Sequence, residues 1–87
     1  MYIQLSRIPD RNQLVMLNTA PVTNVILLND ACYLLTQLPV TKQNIAWYAL
    51  ADEIKGRGLL DLLAANVTLL STAEYVKLQL NHAIIQL

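Results

Sequence analysis

With one cysteine and one histidine in 87 residues, the chain is short of the side chains on which most small-domain chemistry rests. A lone cysteine cannot close an internal disulfide or build a metal knuckle. His82 stands fifty residues beyond Cys32, and a general base needs an oriented partner and a nucleophile within reach. No metal site, acid-base pair or cofactor is expected. Only two glycines are present, both at the Gly56-Arg57-Gly58 stop, so no glycine-rich loop is available to approach a phosphate. Charge is scarce too: charged residues make up 14%, against about 25% in ordinary soluble domains. Six basic and six acidic residues cancel, and without a basic stripe the chain has no grip for a nucleic-acid backbone. Long apolar runs are missing as well. Asn29, Asp30, Lys42, Asp52 and Asp61 interrupt every window that approaches the roughly 20 residues of a membrane-spanning helix. The opening MYIQLSRIPDR has no basic segment followed by an apolar core and a cleavage site, so secretion is not signalled and a cytoplasmic location is expected.

What is present is apolar surface. Hydrophobic residues reach 55%, in a chain whose length suits one domain, 1–87, near the small end of what folds alone. Such a chain buries only about 60 to 65% of its unfolded surface. The surplus of Leu, Val, Ile and Ala must leave apolar area outside, which monomers seldom tolerate as a large patch, so a permanent protein partner is expected.

The organising stretch is Ile45 to Leu59, IAWYALADEIKGRGL. Its β-branched and aromatic residues suit a pleated strand, and an apolar character on both faces suits a central parallel strand covered by helices. Asp52 and Glu53 then fall in the first turn of a short helix, with Lys55 and Arg57 in its last turn, as the helix dipole favours. Gly58 supplies a left-handed residue to end that helix, and Leu59 its apolar partner.

On either side the pattern repeats. Met1 to Leu5 alternates as a strand, with Tyr2 and Gln4 on one side and Ile3 and Leu5 on the other. Asp10 and Gln13 have the spacing of a capping box for a helix to about Asn18 that buries Leu14 and Leu17, with Val15 at the margin. After a return loop around Pro21, Asn24 to Leu28 reads as a second buried strand. Asp30 caps a helix over Ala31 to Leu38 that Pro39 ends, and Val40 to Asn44 is a polar connection. Leu59 to Ala65 is compatible with a short helix or an ordered loop, since periodicity over seven residues cannot decide. Asn66 to Leu70 is a strand. Ser71 or Thr72, with Glu74, starts a last helix that runs to Asn81-His82, and the apolar tail Ala83 to Leu87 reads as docked on something. Strands alternating with helices predict an α/β three-layer sandwich, with flavodoxin-like layering, a mostly parallel sheet of about four strands and right-handed crossovers.

Tyr48-Ala49-Leu50, then Asp52 or Glu53, then Arg57-Gly58-Leu59 resembles the signature of the TusB/DsrH family, small subunits of bacterial sulfur-relay complexes with the DsrE/F/H-like fold. The likeness runs the length of the chain. Leu5-Ser6-Arg7-Ile8-Pro9 is similar to the family's entry motif, with Ile8 in place of a serine cap that Asp10 can restore. Asn29-Asp30-Ala31 is similar to a segment that ends in glycine, here Ala31. Leu70, Glu74, Tyr75, Val76 and Leu78 match in spacing, with His82 at a common histidine position, although Ser71-Thr72 replaces an aspartate-tyrosine pair.

The resemblance implies a non-catalytic subunit partnered by two homologous sister subunits, TusC-like and TusD-like. Their heterotrimer pairs into a heterohexamer and passes persulfide sulfur towards 2-thiolation of the wobble uridine in tRNA. It places the sisters' carrier cysteine after the third strand, where this chain has Leu50. Two alternatives stand beside this. One is a DsrH-type carrier of a sulfur-oxidation system that uses Cys32, which falls near a helix start where the dipole lowers a thiol pKa, although the cysteine of that branch lies in the first helix. The other is an autonomous small-molecule-binding α/β domain, which requires a pocket lined by converging polar groups. Tyr48, Arg57, Gly58, Tyr75 and His82 are the candidate subunit-interface residues. Trp47 and Tyr48 lack the flanking basic residues of a base-stacking platform.

Overall fold

The computed structural model describes residues 2–19, 23–36, 45–62 and 67–87. Five parallel strands, β1 (Tyr2–Leu5), β2 (Thr23–Leu27), β3 (Ile45–Leu50), β4 (Val67–Leu70) and β5 (Ile84–Gln86), form one sheet in the order β4-β3-β2-β1-β5. Helix α1 (Arg11–Thr19), a 3-10 helix (Asn29–Thr36), α2 (Ala51–Gly56), a short 3-10 turn (Leu60–Leu62) and α3 (Thr72–Asn81) alternate with them. The α/β sandwich expected from the sequence is therefore present, with five strands rather than four. The additional strand is the apolar tail. It docks on the chain's own sheet edge, where the Leu87 amide donates to the Gln4 carbonyl at 3.0 Å.

Topology distributes the helices. From β1 to β4 the chain steps across the sheet in one direction, and right-handed crossovers put α1, the first 3-10 helix and α2 on the same face. The last step, β4 to β5, crosses back over the whole sheet and carries α3 on the other face. Burial agrees with this. Ile3, Leu5, Val25, Leu27 and Ala49 share one side of the register and form the core with Leu17 of α1, Cys32 of the 3-10 helix and Ile54 of α2. The opposite side presents Tyr2, Gln4, Asn24, Ala46, Tyr48 and Thr68, none of them buried, around the fully buried Ile26.

Short-range signals in the sequence are realised in the fold. Asp10 Oδ1 accepts from the Gln13 amide at 2.8 Å, and Gln13 Oε1 from the Asp10 amide at 3.1 Å. Ser71 and Glu74 make the same reciprocal box at the start of α3. At the end of α2, the Gly58 amide donates to the Lys55 carbonyl and the Leu59 amide to the Ile54 carbonyl, with Gly58 at φ 68° and both Ile54 and Leu59 buried. This is the Schellman arrangement with its apolar contact.

Three expectations are corrected. The segment after β2 is a 3-10 helix over Asn29–Thr36 rather than an α-helix over Ala31 to Leu38, because the Ala31 amide reaches back only to the Leu28 carbonyl at 3.1 Å. Val15 is exposed on the outer side of α1. β3 is an inner strand as expected, but it is not covered on both faces, since Ala46 on its second face is exposed. The Pro21 loop, the helix end at Pro39, the 40–44 connection and residues 63–66 lie outside the described residues, as does the side chain of Leu14. Among the described residues, no helix is long and apolar enough to cross a membrane.

The two glycines should respond oppositely to the same change. Gly58→Ala forces a Cβ into the left-handed region and should lower unfolding free energy by about 1 kcal/mol. Gly56→Ala, inside α2 with open space around its Cβ, should raise it by about 0.5 to 1 kcal/mol. Urea titration of both variants checks the pair. The hydrogen bonds from Ser71 hold the Glu74 carboxyl below its ordinary pKa. Its contribution is therefore complete above the unfolded carboxyl value, roughly 4.3, and is lost as pH falls through the lower folded value. Glu74→Gln should flatten the acid limb of the stability profile there.

Candidate functional site

In a parallel α/β sheet, reacting groups collect at the carboxyl ends of the strands. Here the ends of β2 and β3 meet in a polar knot centred on Glu53. The chain leaves β2 through Leu28 and turns sharply at Asn29, whose φ of 53° is one that asparagine tolerates better than most residues. The Asn29 amide donates to Glu53 Oε2 at 2.6 Å. Beneath it, Cys32 is fully covered, at 0% exposure, and its thiol faces the Leu27 carbonyl at 3.6 Å and Glu53 Oε2 at 3.8 Å. Burial first, then the negative charge of Glu53, pushes this thiol up to about 11. The environment is thus the reverse of the dipole-activated one that sequence position suggested. A thiol at that value is almost wholly protonated at neutral pH, and the thiolate is the nucleophile.

Arg57 closes the outer side of the knot. It is the residue that ends α2, and its guanidinium pairs with Asp30 at 3.2 Å and lies over the Tyr33 ring at 5.4 Å from the centroid. The hydrogen bond to Tyr33 foremost, with Asp30 beside it, holds the guanidinium above its ordinary pKa. Gly58, next to it, is exposed.

The other candidates lie on the opposite face of the sheet, under α3. Tyr48 donates to Asn24 Oδ1 at 3.3 Å, and its phenol is pushed up by burial and then by Tyr2. Tyr75 projects from α3 and donates to Gln4 Oε1, while Gln79 Nε2 donates to the Tyr75 hydroxyl at 3.1 Å. The ring of His82 sits 4.6 Å from that of Tyr2. Between α3 and the sheet runs an open groove of about 360 Å³, floored by Tyr2, Tyr48 and Leu70 and walled by Glu74, Lys77 and Leu78.

The sequence candidates therefore fall into two groups that never meet. Cys32, Arg57 and Gly58 belong to the carboxyl-end knot; Tyr48, Tyr75 and His82 belong to the α3 face. Two residues that bond within these groups, Glu53 to Cys32 and Gln4 to Tyr75, are not among the site candidates of the sequence. Glu53 reads there as a dipole-matching carboxylate and a possible signature position, and nothing local marks it as the acceptor for a loop 24 residues earlier. Gln4 reads as an alternating strand residue; its place beside an aromatic on the non-core face was the available signal. Among the described residues, no three His, Cys, Asp or Glu side chains are grouped to hold a metal ion.

Glu53→Gln preserves an acceptor for Asn29 but removes the charge, so the Cys32 thiol should titrate at lower pH in that variant, read by thiolate absorbance. The native thiol should also resist alkylation at pH 8 by at least about 100-fold relative to the urea-unfolded chain. Because the folded-state value is raised, the neutral thiol supports the fold fully below roughly pH 8.5 and ceases to as pH climbs towards about 11. Cys32→Ala should remove that share of the alkaline loss of stability.

Residues 8–84 match the model of a protein family described as "DsrH like protein". No curated protein gives a significant match.

Proposed function

Because the chain belongs to the DsrH-like family of sulfur-relay subunits, we propose that it is a non-catalytic, TusB-like subunit of a cytoplasmic complex supporting 2-thiolation of the tRNA wobble uridine. The observation that carries this reading is the state of its sole cysteine. A persulfide carrier must offer an accessible thiolate, whereas Cys32 is fully covered and held protonated by burial and by Glu53. At the end of β3, where the family resemblance places the sisters' carrier cysteine, the chain has Leu50.

The outer surface supports the partnership. Eight large apolar residues are exposed among the described ones, including Ile8, Val15 and Met16 around α1 and Val76 and Leu80 on α3. Helix α3 carries two apolar stripes. Tyr75 and Leu78 turn to the sheet, while Ala73, Val76 and Leu80, spaced by three and four residues, face away from it. An outward stripe with Leu80 at 80% exposure fits a neighbour better than water. Exposed Gly58 and His82 can contribute directly to such contacts. Arg57, Tyr48 and Tyr75, engaged within the chain, act by shaping the surface.

Co-expression with the two homologous subunits that the family resemblance implies tests the proposal. A stable complex is expected, with sulfur transfer unchanged within about twofold by Cys32→Ser and abolished by loss of the sister's cysteine. A monodisperse monomer that ignores both sisters, or a persulfide trapped on Cys32 during turnover, would overturn it.

A further inference from the structure

The segments on the two faces of the sheet are anchored by different physics. On the core face, each helical crossover inserts at least one fully buried apolar residue: Leu17 from α1, Cys32 from the 3-10 helix, Ile54 from α2. On the other face, no residue from 71 to 87 is buried. Helix α3 stands far enough off the sheet to leave the 360 Å³ groove beneath it, and β5 adds only three residues to the β1 edge.

Leu87, partly buried, packs against the core, and the side-chain hydrogen bonds that hold this segment converge on one residue. Gln4 Oε1 accepts from Tyr75 of α3, and Gln4 Nε2 donates to Gln86 Oε1 of β5 at 2.6 Å. The Gln4 carbonyl accepts from the Leu87 amide at 3.0 Å. Gln86 continues to Ser6 Oγ at 3.3 Å, and the His82 ring rests on Tyr2. The Gln4–Gln86 and Gln86–Ser6 bonds are exposed and that of Tyr75 part-buried, and exposed hydrogen bonds are exchanged for bonds to water at small net cost. Segments with few buried apolar contacts are those that open below the global unfolding free energy.

We infer that residues 71–87 form a latch, closed on Gln4, which opens as one unit while the rest of the fold stays intact. Opening uncovers Tyr2, Tyr48 and Ile26 and frees the β1 edge. It turns the second face of the sheet into a surface that the protein can show or hide. The two elements move together because Gln4 ties both, and neither carries a fully buried apolar residue, Leu87 packing only partly buried against the core.

Native-state hydrogen exchange in low urea tests this on the protein as purified, alone or with its accompanying subunits. Amides of α3 and β5 should exchange at least about tenfold faster than those of Val25–Leu27, with a smaller urea dependence. Ile54→Val, which weakens contacts that survive in the open form, should speed the β2 amides about fivefold and leave α3 and β5 unchanged. Gln4→Ala should speed α3 and β5 by one common factor. Three results would overturn the inference: α3 and β5 amides that follow β2 in the wild type, α3 and β5 amides that accelerate with β2 in Ile54→Val, or unequal factors for the two elements in Gln4→Ala.

Discussion

A sheet whose strands all run parallel needs a crossover for every pair, and both of its faces must be covered. Among the described residues, the helices cover only one of them well. Three successive crossovers close the core face with Leu17, Cys32 and Ile54, and the remaining ten-residue helix has to serve the other. Much of what distinguishes the molecule follows from this inequality. The open groove under α3, the half-exposed Tyr2, Gln4 and Tyr48, and the apolar residues turned outward on α3 all reflect a face with too little chain over it.

The same inequality decides the surroundings of the only cysteine. Cys32 lies on the well-covered face, packed against the end of β2, and there a thiol behaves as a small apolar residue with a weak donor. The Glu53 carboxylate nearby serves the fold by taking up the amide of Asn29 at the left-handed turn out of β2. In doing so it places a negative charge against the thiol, which disfavours the thiolate a second time after burial. One residue thus secures the β2 exit and adds to burial in holding the thiol of the only cysteine protonated.

How much is legible depends on range. The capping boxes at Asp10-Gln13 and Ser71-Glu74 are readable because both partners lie within four residues, and the end of α2 because only a glycine suits φ near 68° at Gly58. Alternation places Tyr2 and Gln4 opposite Ile3 and Leu5 correctly. The 3-10 helix reads as an α-helix because its apolar residues satisfy either spacing over so short a run. β5 escapes as a strand because three residues have no period to measure. Val15 falls near the buried face in a pattern where Leu14, Val15 and Leu17 compete for one side of α1, and only the sheet beneath determines that Val15 turns outward.

The order of elements up to α3, the α/β class, the family resemblance and the poverty in nucleophiles were determined by the sequence by itself, because each rests on local spacing or on composition. The tertiary structure alone decided that Cys32 is buried against Glu53, that Gln4 ties α3 to β5, and that one face of the sheet is thinly covered. Those facts depend on crossover handedness and strand order, which bring residues 21 to 82 positions apart into contact, and no local pattern encodes a contact across that distance.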